Sequence, residues 1–281
     1  MSIDLKQNNM KVDIILSDGF VMTELSGVVD VLRLANRVVD KKMFTFRYVS
    51  PEAGVVKSSA DTWLNASALS NSPDADIAVF LGNSDLNFTS REIEKAVHKY
   101  RYTNAKVVLL AEAAAIYISA NSDDGFGHTT HWENRLLLEE RSGLYDIAPS
   151  LAVSTDKIVT CAGLVSTYDI MLQIVAGYLS KAKLLTISSI LLLDKVRSFE
   201  TRQPGAMDAL SAGKDSHIDQ AIKMMQSNIE EPYNSCEYLA NFVMFADARN
   251  CAINPAACHV VPDVSCLRSK RIISFQPFLA K

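Results

Sequence analysis

No stretch of this 281-residue chain is apolar for the roughly 18 residues that a membrane-spanning helix needs. The densest run, Ile187 to Leu193, is short and stops at Asp194-Lys195, so it reads as a buried helix. The opening residues, Met1-Ser2-Ile3-Asp4-Leu5-Lys6, lack the basic-then-apolar order of a secretory leader. A cytoplasmic protein with no membrane association is expected. An excess of basic charge is missing too: the net charge is −4, whereas phosphate contacts need clustered Lys and Arg. No Cys-x-x-Cys pair occurs among the five cysteines. An odd number in a cytoplasmic protein argues against a disulfide framework. Cys236, Cys251, Cys258 and Cys266, with His259, are poorly spaced for zinc, so scattered free thiols and no metal are expected.

With 48% hydrophobic and 21% charged residues the chain has the means to build an ordinary core. Its length allows one large domain or two unequal ones. Val12-Asp13-Ile14-Ile15-Leu16 is an apolar run ending at Ser17-Asp18-Gly19, as a buried strand would. A helical pattern covers 23–39, with Leu25, Val28, Val29, Leu32 and Ala35 on one face. Further strands are expected over 44–49, 77–81 and 106–110, with a helix over 90–102 between the last two. Buried strands alternating with helices predict an α/β fold with a parallel sheet covered on both faces. Ligands bind such sheets at the carboxyl ends of the strands, which places functional residues just after Leu16, Leu81 and Leu110.

Five markers then follow in order: Gly19-Phe20; Glu24-Leu25-Ser26-Gly27 with Asp30-Val31-Leu32; Asp76 to Gly82; Thr129-Thr130-His131-Trp132; and Thr160-Cys161-Ala162-Gly163 with Asp169. Together they resemble the class I glutamine-amidotransferase-like (PfpI-like) domain of AraC-type transcriptional regulators, over residues 12 to about 180. The resemblance implies a flavodoxin-like sheet and no cofactor. Enzymes of that superfamily carry a nucleophilic cysteine at the sharp turn after the strand that here ends at Leu110. The matching residue is Ala111, and the glycine usual two residues later is Ala113, so an altered turn and no catalytic residue are expected. Cys161 stands on a different marker and reads as a buried thiol.

The resemblance makes Glu24 the acidic partner of the missing cysteine and His131 a nearby histidine. Glu24, Ala111, Glu112 and His131 are therefore the candidate ligand-binding residues. The bland alternatives are an exposed Glu24 in a first helical turn, a His131 that caps or packs beside Trp132, and a Glu112 that merely favours a helix N-terminus. Related regulators respond to amino acids or quaternary amines, so a nitrogen-containing effector is implied.

Residues 181–195 have dense helical apolar spacing, fit to pack on the sheet domain or a second subunit. Thr201-Arg202-Gln203-Pro204-Gly205 reads as a break into a polar linker that runs to Ser216. A new helical stripe begins with Ile218, Ala221, Ile222, Met225 and Ile229, then stops at Glu231-Pro232. Ser235 caps a further helix ending at Leu239-Ala240. This arrangement resembles the start of an AraC-type helix-turn-helix domain, whose second helix enters the major groove. The Arg-rich recognition helix does not follow: Val243 to Cys251 replaces it, and Pro255, Pro262 and Pro277 discourage helix beyond. Only about 65 residues remain after Ser216, where a full domain of this type needs roughly 100. A shifted reading frame past Phe242, or decay of the gene, is the expected cause. Arg268, Lys270 and Arg271 form the one basic cluster of the tail and are the candidate DNA contacts, although the chain from Gly213 onward holds seven basic and seven acidic residues.

The expected organisation is a sensor domain over 10–195, a linker over 196–216 and a partial helix-turn-helix region over 217–281. The expected function is a ligand-responsive, dimeric, DNA-binding regulator with an inactive amidotransferase-like sensor, its DNA binding open to impairment by the incomplete helix-turn-helix region. Two other readings stay open. One is a hydrolase or amidase of the same fold, opposed by Ala111; the other is a small-molecule-binding protein without DNA affinity.

Overall fold

The computed structural model describes residues 9–121, 127–143 and 147–204. The helical unit expected over 217–281, the tail cysteines and the cluster Arg268, Lys270 and Arg271 lie outside these residues. Among the described residues no helix is long and apolar enough to cross a membrane.

The first strand, β1 (Met10–Ile15), leads through a turn at Gly19 into helix α1 (Met22–Val39). β2 (Phe44–Ser50) and the short pair β3 (Gly54–Lys57) and β4 (Trp63–Ala68) follow. Then come β5 (Ile77–Phe80), α2 (Arg91–Tyr102), β6 (Lys106–Leu110), α3 (Ala111–Ala120) and α4 (Trp132–Ser142). The hairpin β7 (Ala152–Thr155) and β8 (Ile158–Cys161) precedes α5 (Ser166–Val175) and α6 (Lys181–Ile190). The eight strands form one sheet in the order β3-β4-β2-β1-β5-β6-β8-β7. From β4 to β8 every neighbouring pair is parallel, while the outermost strands β3 and β7 run antiparallel to theirs. The expected parallel sheet is thus the body of a mixed one, closed at each end by a hairpin.

Alternation along the central strands divides the core into two layers. Val12 and Ile14 of β1, with Val108 and Leu110 of β6, pack with Leu25, Val28 and Leu32 of α1 and Ile170 and Met171 of α5. Ile15, Val107 and Leu109 face the other way, against Val97 and Tyr100 of α2 and Ala114 and Tyr117 of α3. Asp13 is the exception, a carboxylate among the otherwise apolar buried residues of β1. It is compensated: Arg47 donates to it twice, at 2.6 and 3.0 Å, and the Tyr100 hydroxyl donates at 2.6 Å. Tyr100→Phe keeps the ring but strips one donor from this carboxylate. The expected result is a stability loss of about 2 kcal/mol, read as a lower urea midpoint with unchanged slope; an unchanged midpoint would mean Arg47 alone satisfies Asp13.

Helix α6 ends at Ile190, four residues before the Asp194-Lys195 stop that its composition predicts. The chain then runs back across the sheet domain. Leu151 N–H donates to Thr201 O (2.8 Å), Ala152 N–H to Phe199 O (3.1 Å), and Gln203 N–H to Pro149 O (2.8 Å). Arg197 holds this strap to α5 through a charge-assisted pair with Asp169, its Nη2 2.7 Å from Oδ2.

Candidate functional site

The carboxyl ends of β1, β5, β6 and β8 converge on the turn between β6 and α3. Leu110 is still extended, and Ala111 then takes φ 40° to open the helix. A left-handed conformation at a residue with a Cβ costs free energy and persists only where its surroundings enforce it. Here they do. The Thr130 hydroxyl donates to Ala111 O at 2.7 Å, and two glycines press on the Ala111 methyl from opposite loops. A Cβ on Gly82, just after β5, would lie 3.0 Å from Ala111 Cβ, and one on Gly163, just after β8, would lie 2.8 Å away. The sharp turn at Ala111 thus forms with Ala113 in the place of the glycine that the resemblance leads one to expect. The side chain that the elbow presents is a methyl group, which has no lone pair to attack with.

Glu24, in the first turn of α1, is completely buried, so the reading of it as an exposed first-turn residue is wrong. Its Oε2 accepts from Gly82 N–H at 2.6 Å and its Oε1 from Leu164 N–H at 2.9 Å. The carboxylate thus staples the loop after β5 to the loop after β8, directly beneath Ala111. Glu112, the second residue of α3, is only 6% exposed. Its Oε2 accepts from Asn83 N–H at 2.9 Å and its Oε1 from the Asn134 amide at 3.1 Å. Among the described residues neither carboxylate is paired with a Lys or Arg. Burial pushes Glu24 up to about 7; the Leu164 and Gly82 N–H groups oppose this and the charge of Glu112 adds to it.

His131 is the N-cap residue of α4, without a side-chain capping bond, and its ring sits 5.6 Å from that of Trp132. Its Nδ1 lies 3.3 Å from the Glu133 carboxylate. Burial holds its pKa down, while Glu133 and then Glu112 pull it up. Cys161 ends β8 as a buried thiol whose pKa burial drives upward, with the Glu24 charge adding to it. It is the reverse of an activated thiolate.

The structure thus brings Glu24, Ala111 and Glu112 together, with His131 on the α4 side of the group. Sequence reading missed the partners: Asn83, Asn134, the Leu164 N–H and the Thr130 hydroxyl. Gly82 was legible as a glycine directly after a buried strand, where such sheets bind ligands, and Gly163 only as part of the marker Thr160-Cys161-Ala162-Gly163. Nothing local marks Asn134, which sits three residues beyond His131 on an ordinary helix.

No family model matches the chain. The HTH-type transcriptional regulator GbdR of Pseudomonas aeruginosa is 18% identical over 228 residues, which cover 80% of this chain and 62% of that protein. The chain therefore spans less than two thirds of that relative. The crystal structure of an AraC family transcriptional regulator from Pseudomonas putida superposes with a TM-score of 0.57 at 24% identity, covering 65% of this chain and 99% of that one. A THiJ/PfpI family protein from Pseudomonas syringae matches with a TM-score of 0.56 at 16% identity, over 81% of this chain and 92% of that one. The chain is thus similar in sequence to an HTH-type transcriptional regulator, and its described domain shares the fold of a THiJ/PfpI family protein.

Proposed function

We propose that this chain is a ligand-responsive regulator of transcription in the cytoplasm, whose ThiJ/PfpI-like domain senses a small molecule instead of catalysing a reaction. The observation that carries this reading is the elbow itself. It keeps the strained turn of a nucleophile site, yet presents the methyl of Ala111 above two buried carboxylates that have no counter-cation among the described residues. Such a site favours a cation, because a positive group offsets the cost of two desolvated negative ones. The effector class is accordingly a small nitrogen cation, an amino acid or a quaternary amine. Ala111 and Glu112 line its seat, Glu24 supplies the second charge, and His131 stands at the entry on the α4 side.

DNA contact is assigned to residues 217–281, with Arg268, Lys270 and Arg271 on phosphates, in a homodimer that reads two half-sites. The similarity to an HTH-type transcriptional regulator supports DNA as the partner in general. Fluorescence anisotropy of the full chain on its own upstream DNA, against scrambled DNA over a salt series, tests it. A preference for the upstream sequence that survives physiological salt is the expected result; equal, weak binding that vanishes with salt sinks the regulator reading. The sensing half is tested separately by thermal shift with choline and with a panel of free amino acids. At least one should raise Tm, and Glu112→Gln should weaken that response by roughly tenfold, the loss of one charged contact. A panel without any response removes the effector assignment.

A further inference from the structure

Gln203 lies one residue before Pro204 at the far end of the strap, yet it is only 6% exposed. Its Nε2 faces three acceptors: Thr130 O at 2.7 Å, Ser150 O at 2.8 Å and Thr129 Oγ1 at 3.1 Å. Its Oε1 is buried with no hydrogen-bond partner among the described residues. Turning the amide over would set Oε1 against two carbonyl oxygens, so the acceptors fix the orientation and leave Oε1 the unsatisfied atom. Pro204 has no N–H, so among the described residues Gln203 makes the strap's last backbone N–H bond.

The group that Gln203 grips is also the group that holds the elbow. Thr130 offers its carbonyl to Gln203 and donates its hydroxyl to Ala111 O. Asn134 reaches both the Thr130 hydroxyl, at 3.5 Å, and Glu112 Oε1, at 3.1 Å. Three contacts therefore lead from the Glu112 carboxylate to Gln203.

We infer that Gln203 is a releasable latch, which grips Thr129-Thr130 in one state of the elbow and frees the chain that follows in another. The inference rests on the elbow being the sensing site. Docking buries an unpartnered acceptor, a cost that release removes by giving Oε1 to water. The held state is thus favoured by the Nε2 bonds and penalised by Oε1. A cation that draws Glu112 away from Asn134 loosens Thr130 and biases the latch toward release. The effector then acts on residues 205–281 through the strap, a change in population that needs no new contact.

Hydrogen exchange on the full chain tests this without any effector. The readouts are the strap amides of Leu151 and Gln203, with the Ile14 amide of β1 as an internal control. Gln203→Leu, close to isosteric, should speed exchange at both strap amides roughly tenfold and leave Ile14 unchanged, as expected for local loss of the Nε2 bonds. Glu112→Ala should produce the same local acceleration although it touches no strap residue. The double variant should exchange no faster than Gln203→Leu alone, because both act on one step. Wild-type exchange at the strap in Glu112→Ala, or additive effects in the double variant, overturns the latch. If Glu112→Ala does not fold, Thr130→Val cuts the same path at the hydroxyl and keeps the carbonyl that Gln203 uses. Because no effector is added, a failed choline or amino-acid titration leaves this test standing. Conversely, effector binding with an unmoved strap sinks the latch alone.

Discussion

Replacing Gly163 by alanine is expected to lower the unfolding free energy by about 3–5 kcal/mol, the range of substitutions that force a clash in a packed site. Gly163 has φ +74°, and an added Cβ would stand 2.1 Å from Glu24 Oε1, 2.8 Å from Ala111 Cβ and 3.1 Å from Ala111 N. None of these neighbours can step aside cheaply. Glu24 is held by two backbone N–H groups, and Ala111 already occupies a left-handed conformation. Moving the Glu24 carboxylate strands the Leu164 and Gly82 donors in a buried place, which costs more than the clash avoided. For a domain of this size the loss corresponds to a fall in Tm of roughly 10 °C or more, read by circular dichroism. Gly177→Ala is the control: its Cβ would meet nothing closer than Ile174 O at 3.7 Å, so stability should stay level or rise slightly. Adding Glu24→Ala to Gly163→Ala should restore no stability, since the Leu164 and Gly82 donors then lose their acceptor and the contact with the Ala111 methyl remains. A Gly163→Ala protein within about 1 kcal/mol of wild type would mean that the elbow is far less tightly packed than described.

What could be read from the sequence tracks how each signal is carried. Strands β1, β5 and β6 are short, continuous apolar runs, because a parallel strand is buried on both faces, and such runs stand out in any composition. Strands β3 and β4 did not stand out: β4 buries one residue of six, so its sequence, Trp-Leu-Asn-Ala-Ser-Ala, carries almost no pattern. β7, mostly outside the core at the sheet's edge, is equally silent. At the site, Ala111 and Glu112 were legible because the turn follows a recognisable strand. Glu24 was placed on the right helix with its environment undecided, since helical spacing puts it at the edge of the apolar stripe. Only the loops after β5 and β8, which arrive from 58 and 140 residues away, bury it completely. The strap was hidden for a related reason. Phe199 and Thr201 hold Ala152 and Leu151 through backbone groups, which every residue has, so no residue type marks that contact.

The buried carboxylate at the elbow should give the domain a pH dependence opposite to that of most acidic residues. Glu24 is raised from 4.5 to about 7 in the folded state, first by burial and further by Glu112. A carboxyl group whose folded pKa exceeds its unfolded one is bound to its proton more tightly in the native protein. Its contribution to stability is therefore full below about 4.5, declines as pH rises, and is lost once pH passes about 7. The size of the decline is about 3 kcal/mol, from the 1.36 kcal/mol that each pKa unit represents. Urea midpoints measured from pH 4.5 to pH 8 should fall across this window. Exposed groups such as Asp61 and Asp74, which their lysine partners hold low, act in the opposite sense but in water, where such pairs are worth little. Glu24→Gln separates the two: it removes the titration while keeping one acceptor, so it should be less stable than wild type at pH 5 yet show no fall toward pH 8. A variant that retains the full slope would move its origin away from Glu24. The same proton bears on sensing. A cation bound beside Glu24 favours its ionised form, so choline or amino-acid affinity should rise as pH passes through about 7, and that rise should vanish in Glu24→Gln.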